Sequence, residues 1–428
     1  MTSLYLLLWI AGGILLQLAL YGCIVFWRHW QAYRALRNVA AEFEIAVLPE
    51  AAPELMPPVA AWAGYRTFHV ERKVPEDASA QVCSFYLVPE EKQPLPPFLP
   101  GQFLTFQLDI PSLAGGTQAV IRCYSLSDAP HAGHYRISVK RASPPIGSQV
   151  PPGRSSNYFH DHVAVGSLLQ VRAPAGHFYL DPSDAPVVLI GGGIGITPML
   201  SMLNWCLTAQ PGRELWLFYG VRNRAELVMQ TQLQALAAQH ANFHLHLCLS
   251  KPQAGELGEH RSGPVLYHRS RVDVALLRRL LPLKPYHFYL CGPTSMLQSL
   301  VPALEDWGVP EGRIHFEAFG PASIPRKKPA SGTRAAAQGD AKQDAVMVSF
   351  AKSGKQVAWD PAMGSLLEFA ENHGIAVSSG CRAGACGSCQ TPIRAGEVAY
   401  AQAPDFDPEP GSCLLCVCTP KTDVTLEA

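Results

Sequence analysis

The chain has 428 residues, enough for about three domains that each hold a core of their own. Its 34 lysines and arginines balance 34 aspartates and glutamates, so net charge gives no reason to expect a nucleic-acid partner. Twelve cysteines would suggest disulfides in a short secreted protein, but this chain is long and several of its cysteines follow a metal-binding pattern. Composition therefore favours a multidomain protein.

The first segment, residues 4–27, contains no charged side chain. As a helix it would extend about 36 Å, more than the roughly 30 Å hydrocarbon core of a bilayer. Arginines follow this segment and no basic residue precedes it, so the positive-inside rule places the N-terminus outside and the rest in the cytoplasm. We therefore expect a single-pass anchor over residues 1–30 in the inner (plasma) membrane. A cleaved signal peptide is the alternative, disfavoured by the long apolar run without a basic region or cleavage site.

The composition and the residue pattern of the sequence change several times after the anchor. Residues 31–63 form a juxtamembrane segment and a linker rich in proline and alanine. Residues 64–183 alternate short β-type runs with Pro and Gly turns, which is typical of an antiparallel β-barrel. In residues 184–320 apolar strands alternate with helical segments, which predicts a parallel sheet covered on both faces. Residues 321–344 lack aromatic side chains and most large apolar ones, which predicts a flexible tether before a last domain at 345–428.

Within the barrel region, IRCYSLS contains Arg122, Tyr124, Ser125 and Ser127. Arg122 and Tyr124 share a face if this run is a strand. A guanidinium binds phosphate bidentately, an aromatic ring can pack against an isoalloxazine, and a hydroxyl can hydrogen-bond its N5 edge. The set suits a flavin, although a buried arginine and tyrosine on a barrel strand are also common structural residues.

A glycine-rich turn, LIGGGIGITPM at residues 189–199, lies between an apolar strand and a helix. Main-chain amides and a helix N-terminus can bind a pyrophosphate there. The run departs from the G-x-G-x-x-G fingerprint of dinucleotide-binding folds. Its position, rather than its pattern, indicates a nucleotide site.

Near the end of the chain, CRAGACGSC at residues 381–389 spaces three thiols as C-x4-C-x2-C, the ligand run of a plant-type [2Fe–2S] cluster. The small residues between them let the backbone fold closely around a cluster and direct N–H groups at its sulfurs. The fourth ligand can come from Cys413, Cys416 or Cys418. A zinc site is the alternative, but zinc sites usually show paired C-x2-C units and this stretch has only one. The loop indicates electron transfer.

Taken together, these motifs resemble the ferredoxin–NADP reductase superfamily. The run at 122–127 resembles R-x-Y-S-x-[ST], and PGQF, RISVKR, PGRSSNYFH and APAGHFYLD flank it in the order found in the reductase half of flavohaemoglobins. Residues 192–198 are similar to G-G-x-G-x-T-P, and residues 291–293 to the family's C-G-P. LLCVCTPKTDVTLE resembles the closing segment of plant-type ferredoxins, which implies a β-grasp domain with Cys416 as the fourth ligand.

The resemblance also implies roles for individual residues. Arg122 would bind the flavin phosphates and Tyr124 would pack against the ring system. Catalytic positions beside the flavin N5 and the nicotinamide would be Ser125, Thr197 and Cys291. The implied cofactor-binding positions are Arg122, Tyr124, Ser125, Ser127, Gly153, Ser155, Ser156, Gly192, Gly193, Gly195, Thr197, Cys291, Gly292, Pro293 and Phe319. The implied cluster ligands are Cys381, Cys386, Cys389 and Cys416.

Two choices of cofactor stay open. FAD is favoured because the flavohaemoglobin pattern is the nearest, but phthalate dioxygenase reductases share this domain order and use FMN. NADH is slightly favoured over NADPH. The side chains that might instead meet a 2′-phosphate are Arg222, Arg224, Ser250 and Lys251.

The implied activity is that of an oxygenase-type NAD(P)H reductase, which passes electrons from NAD(P)H through FAD and a [2Fe–2S] cluster to a partner. We expect a membrane-associated oxygenase, hydroxylase or desaturase as that partner, and a tethered cluster domain that moves to deliver its electron. A quinone reductase is a rival, but in the sodium-pumping enzyme the cluster precedes the flavin. A non-enzymatic redox sensor would not need a complete nicotinamide–flavin pair. A nitric oxide dioxygenase is not expected, because residues 1–63 are too short for a globin.

Overall fold

A computed structural model describes most of residues 62–428. The undescribed positions in that range are 63, 92–94, 112–114, 145–150, 254–259, 320–345, 381, 383, 385, 401–403 and 405. Before residue 62 it describes four helical residues, Trp9, Gln17, Trp27 and Trp30.

The chain divides into two units, Met1–Val59 and Ala60–Ala428. The predicted anchor belongs to the first unit and, apart from those four residues, lies outside the described part of the chain. Among the described residues no helix is both long and apolar enough to cross a membrane. The predicted tether at 321–344 also lies outside the described residues.

The first domain of the second unit is an antiparallel half-barrel; the antiparallel strands agree with the prediction, but the sheet is half of the predicted barrel. Its sheet has the order β4-β3-β6-β1-β2-β5, and a bridge between Leu126 and Ile137 brings the two edge strands together. Alternating buried side chains fill the interior, where the Phe159 ring from the helix meets Phe85 and Phe106 edge-on. The elements are β1 (Arg66–Pro75), β2 (Val82–Pro89), β3 (Phe103–Pro111), β4 (Thr117–Ser125), β5 (Tyr135–Lys140), α1 (Arg154–His162) and β6 (Leu168–Val171).

The second domain contains the predicted parallel sheet, with the order β10-β11-β9-β8-β7-β12-β13 and only β10 antiparallel. Every residue of β7 is buried because helices cover both faces of the sheet. Its strands are β7 (Val187–Gly192), β8 (Leu215–Val221), β9 (Phe243–Leu249), β10 (His260–Ser262), β11 (Val265–His268), β12 (His287–Gly292) and β13 (Ile314–Ala318). Its helices are α2 (Ile196–Ala209), α3 (Gln230–Gln239), α4 (Val274–Leu280) and α5 (Thr294–Asp306).

The third domain has a mixed sheet, with the order β15-β14-β20-β16-β18, packed against one helix as a β-grasp domain requires. That helix begins after Ser365, which caps it: the Ser365 hydroxyl accepts a hydrogen bond from the Glu368 N–H at 3.3 Å. The elements are β14 (Met347–Phe350), β15 (Lys355–Ala358), α6 (Leu366–Asn372), β16 (Gln390–Ala395), β17 (Val398–Tyr400), β18 (Ser412–Leu414), β19 (Cys418–Pro420) and β20 (Val424–Leu426).

A polar network holds the half-barrel against α2 of the second domain. The Asp128 carboxylate lies 3.2 Å from the buried Arg136 guanidinium and accepts a hydrogen bond from the Asn204 amide at 2.7 Å. The Ser201 hydroxyl donates to the main-chain oxygen of Asp128 at 2.7 Å. Buried charged groups that are paired and hydrogen-bonded in this way fix geometry across an interface. The start of α2, which carries Thr197, is therefore set relative to the barrel.

Candidate redox site

A cavity of about 370 Å³, here called the flavin cavity after its predicted ligand, has walls from all three domains. Strand β4 of the half-barrel contributes Arg122, Tyr124 and Ser125, and α2 contributes Thr197. The third domain adds residues of the loop that leads to the cysteines. The other lining residues are Phe103, Cys123, Ser138, Lys140, Ile194, Glu317, Ala318, Phe319, Ser379, Gly380 and Arg382. Five of the predicted flavin and nicotinamide residues thus meet at one site.

Tyr124 is held by aromatic packing. Its ring meets Phe106 and Phe159 edge-on, with centroids 5.8 and 5.0 Å apart. Burial raises the pKa of Tyr124 to about 12, although a hydrogen bond with Ser155 and the Arg122 charge act in the opposite direction. The phenol therefore stays protonated at neutral pH and can donate a hydrogen bond to a bound ring.

The N-terminus of α1 supplies donors for a phosphate beside Tyr124. No described side chain caps this helix, so its first N–H groups point outward, as an anion site requires. A Cβ on Gly153 would lie 2.6 Å from the Ala142 Cβ, so the backbone there needs a glycine. Ser155 is buried and Ser156 accepts from the Ala142 N–H at 3.3 Å. These residues fit the pyrophosphate contacts that the sequence predicts.

Ser127 lies away from the cavity wall formed by the described residues. Its hydroxyl is fully buried, 2.8 Å from the Ser138 hydroxyl, and accepts from Arg136 Nε at 3.2 Å. The side chain alternation of β4 ends at Ser125, so Ser127 belongs to the polar network under the cavity. A direct flavin contact of Ser127 stays a prediction.

A second cavity, of about 520 Å³, lies at the carboxyl ends of the parallel strands. It is called the coenzyme cavity below. The glycine turn lines it through Gly192 and Gly193, and Pro293 faces them. A Cβ on Gly195 would lie 2.1 Å from the Cys291 carbonyl oxygen, so the close approach of turn and strand needs that glycine. Lys140 lines both cavities, so the two adjoin. The predicted nicotinamide loop therefore opens toward the flavin cavity.

Cys291 is the penultimate residue of β12, next to this turn, and is fully buried. Burial raises the pKa of the Cys291 thiol well above its ordinary value, and the Glu317 charge adds to the effect. The Thr197 hydroxyl donates to the Ile194 carbonyl oxygen at 3.0 Å. Gly292 lies against Gly192 at the same place, where a Cβ would meet the Gly192 Cα at 3.0 Å. The thiol is thus neutral, and its contact with a nicotinamide stays a prediction.

Two charged residues of the site were not predicted from the sequence. The Ser125 hydroxyl donates to a Glu317 carboxylate oxygen at 3.4 Å, so an acid faces the predicted flavin position. Lys140 places a cation between the two cavities. Lys140 lies inside the RISVKR run and Glu317 lies two residues before Phe319, but nothing in the linear pattern shows that either faces the site.

Three of the four predicted cluster ligands are described, and Cys381 is not. Cys386 and Cys389 are buried, Cys416 is half-buried, and the Cys389 and Cys416 sulfurs are 3.1 Å apart. The Ser388 N–H points at the Cys386 sulfur at 3.5 Å. A Cβ on Gly380 would lie 2.9 Å from that same sulfur. Thiols, an N–H donor and a glycine cradle fit an iron–sulfur cluster.

The cluster loop contacts the half-barrel directly. Gly380 and Arg382 line the flavin cavity, and Arg382 is held by a bidentate ion pair with Glu371. Arg172, which follows β6, donates from Nη1 to the Cys386 carbonyl oxygen at 3.3 Å. The predicted cluster therefore lies beside the predicted flavin.

Three domain families match along the chain. Residues 70–179 match the oxidoreductase FAD-binding domain, residues 189–301 the oxidoreductase NAD-binding domain, and residues 350–421 the 2Fe-2S iron-sulfur cluster binding domain. The flavohemoprotein of Halalkalibacterium halodurans is 37% identical over 297 residues, which is 69% of this chain and 68% of that protein. This chain belongs to the ferredoxin–NADP reductase superfamily.

Solved structures agree with that assignment. The flavohem-like FAD/NAD-binding domain of nitric oxide dioxygenase from Vibrio cholerae is 33% identical, with a TM-score of 0.51, over 60% of this chain and all of that one. An intact type IV self-sufficient cytochrome P450 monooxygenase shares the fold over 85% of this chain and 41% of its own, with 23% identity and a TM-score of 0.52. The superfamily member described here is an NAD(P)H-dependent flavin/iron–sulfur oxidoreductase that uses FAD and a [2Fe–2S] cluster.

The structure distinguishes the three candidates for the fourth cluster ligand. Cys413 and Cys418 are fully buried in the core of the third domain, whereas the Cys416 sulfur points to Cys389. We predict that Cys416→Ser abolishes the visible absorbance and the EPR signal of the cluster. The matched controls Cys413→Ala and Cys418→Ala should keep a full cluster, measured as iron and sulfide per chain. Cluster loss in either control, with retention in Cys416→Ser, would contradict this assignment.

Proposed function

We propose that this reductase delivers electrons from NADH to a separate membrane-associated protein, an oxygenase, hydroxylase or desaturase. The observation that supports it is the flavin cavity, whose walls come from the flavin half-barrel, the nicotinamide domain and the cluster loop together. A two-electron donor enters on one side of this cavity and a one-electron carrier adjoins it on the other. Such a layout serves acceptors that take electrons singly.

When bound, FAD takes two electrons from NADH as a hydride and gives them up one at a time to the cluster. The protein's own residues bind and orient. Phe319, 44% exposed on the cavity wall, can cover the flavin ring until the nicotinamide replaces it. Ser125 and Thr197 line the space between the two ring systems, and Lys140 offers a cation to the anionic coenzyme. No side chain needs to remove a proton from the substrate.

The anaerobic reaction of the full chain with NADH tests this function. We expect flavin absorbance to bleach first and cluster absorbance to follow in stopped-flow mixing, with one EPR signal from the reduced cluster. In Cys416→Ser the flavin phase should persist and the cluster phase should vanish. Reduction of the cluster without prior bleaching of the flavin, or no bleaching at all, would refute the proposed electron path.

The preference for NADH rests on Glu226, which lines the coenzyme cavity with Arg222 and Ser250. Burial raises the pKa of Glu226, but hydrogen bonds from the Arg222 side chain and N–H outweigh it, so the net pKa lies below the ordinary value. An ionised carboxylate in this cavity repels a 2′-phosphate and accepts a hydrogen bond from a ribose hydroxyl.

The other cations considered for a 2′-phosphate are less available. Arg222 is paired with Glu226 in an i,i+4 ion pair. Arg224 donates to the Tyr267 hydroxyl at 3.2 Å and lies over that ring. Arg271 and Lys140 also line the coenzyme cavity, so the preference for NADH rests on the Glu226 charge and not on a lack of cations.

We predict that Glu226→Gln lowers the KM for NADPH relative to that for NADH by about fivefold, because removing one repulsion at close range is worth about 1 kcal/mol. Steady-state dye reduction with each coenzyme measures this ratio. The control Glu409→Gln changes an exposed carboxylate on the third domain and should leave the ratio unchanged. An unchanged ratio in Glu226→Gln would show that another residue governs the choice.

We also propose that residues 1–30 anchor the enzyme in the inner membrane with the N-terminus outside. The uncharged run at 4–27 supports this, and confinement to a bilayer raises the effective concentration of a membrane partner. Deleting residues 1–40 should release the enzyme from membranes and lower partner turnover by at least about tenfold. Dye reduction by NADH should not change. Unchanged partner turnover in membranes would rule out this role of the segment.

A further inference from the structure

We infer that Arg172 is a positioning residue that docks the cluster loop on the flavin half-barrel and favours the electron on the cluster. The inference rests on the proposed electron path and adds a residue to it. Arg172 belongs to none of the predicted flavin, nicotinamide or cluster positions. Arg172 belongs to the first domain, and its side chain contacts the third domain.

The guanidinium of Arg172 lies between two aromatic rings of different domains. Its Cζ is 4.8 Å from the ring centroid of Tyr65, on the half-barrel side, and 5.1 Å from that of Phe406, in the third domain. Cation–π contacts of this kind are worth about 0.5 to 2 kcal/mol each, depending on desolvation. The planar guanidinium suits a stacked position that a lysine ammonium would fill less well.

Phe406 connects Arg172 to the backbone around the cluster. Its N–H donates to the Gly384 carbonyl oxygen at 2.9 Å. Its ring covers Gly387, where φ is +71° and an added Cβ would lie 2.6 Å from the ring. Both glycines lie among the cluster-loop cysteines. The position of Phe406, which contacts Arg172, therefore helps to set the position of the loop that holds Cys386.

Arg172 also acts on the loop directly through its hydrogen bond to the Cys386 carbonyl oxygen at 3.3 Å. A fixed positive charge near a cluster stabilises the reduced form, which carries one more negative charge, and so raises the reduction potential. Burial of the Arg172 Nε away from water strengthens that effect. The same side chain can thus hold the loop in place and favour its reduction.

A purely structural role within the half-barrel would use other atoms. The Arg172 N–H donates to the Thr105 carbonyl oxygen at 2.8 Å, and that bond does not depend on the side chain. Truncating the side chain therefore leaves the strand pairing of the barrel intact. Each NADH supplies two electrons, and each crossing of the interface carries one, so two crossings complete a turnover. Loss of docking slows those crossings and leaves the hydride step alone.

Three variants of the full chain separate docking from charge. Arg172→Met removes both the charge and the stacking, Arg172→Lys keeps the charge and loses most of the stacking, and Phe406→Leu removes the ring on the opposite side without changing charge. Arg394→Met is the matched control for loss of an arginine, because Arg394 pairs with Glu427 on the exposed surface of the third domain. Iron content and flavin absorbance are measured first to show that each variant is loaded.

In Arg172→Met we expect cluster reduction to slow at least about tenfold in stopped-flow mixing with NADH, while flavin bleaching stays within about twofold of the parent enzyme. The electron equilibrium between flavin and cluster should shift about tenfold toward the flavin, about 59 mV for one electron in an EPR-monitored titration. Arg172→Lys should keep the parent potential but slow cluster reduction. Phe406→Leu should do the same. Residues 406–412 should lose protection in amide hydrogen exchange in all three variants, because each of them loses stacking.

The outcomes distinguish this inference from the proposed function. If NADH fails to reduce the flavin of the parent enzyme, the proposed function is wrong. If the parent enzyme reduces both centres and Arg172→Met matches it in cluster rate and exchange, Arg172 does not dock the loop. A parent-like potential in Arg172→Met would refute the charge effect. If Arg172→Met does not fold, parent-like cluster rates in Phe406→Leu would overturn the docking role from the other side.

Discussion

The close approach of three backbones around one cavity is the constraint on which the rest of this reductase depends. Electrons must pass between the coenzyme, flavin and cluster sites, so the three domains have to meet within contact distance. One side of the junction is fixed by the Asp128 network, which ties the half-barrel to α2. The other side is the contact of Arg172 with the cluster loop. The two junctions differ in kind, a network of paired polar groups in the first and one stacked cation in the second.

That difference matches the two transfers that the junctions serve. Hydride transfer requires reacting atoms about 3 to 3.5 Å apart and aligned, so the nicotinamide and flavin domains need a rigid relationship. Close packing inside the nicotinamide domain serves the same end, since no side chain fits at Gly195 between the turn and the Cys291 carbonyl oxygen. Single-electron transfer tolerates a looser geometry. A weaker junction is therefore acceptable at the cluster.

The fold was predictable where the burial of an element leaves a regular pattern of apolar residues in the sequence. The fully apolar β7 and the alternating strands of the half-barrel are such cases. The flavin-site residues of β4 were also predictable, because a local motif carries them. Glu226, Lys140 and Arg172 were not, because the fold alone brings them to the sites. Arg172 meets a residue 214 positions away, and no local pattern records such a contact. Ser127 lies beyond the end of β4 and is hydrogen-bonded to Ser138 and Arg136, and its predicted flavin contact stays a prediction.

The docked cluster loop and the predicted mobile tether are compatible. Two cation–π contacts and one hydrogen bond from a guanidinium are together worth about 2 to 5 kcal/mol before the entropy of ordering is subtracted. A state that lies a few kcal/mol above another is populated at roughly 0.1 to 10%. If residues 321–344 form the flexible coil that the sequence predicts, they would span roughly 25 to 30 Å, enough for the third domain to leave and return. Docking that is strong enough for electron transfer to the cluster is therefore still weak enough for the third domain to dissociate. An interface as polar and extensive as the Asp128 network would keep the domain docked and prevent electron delivery to a partner.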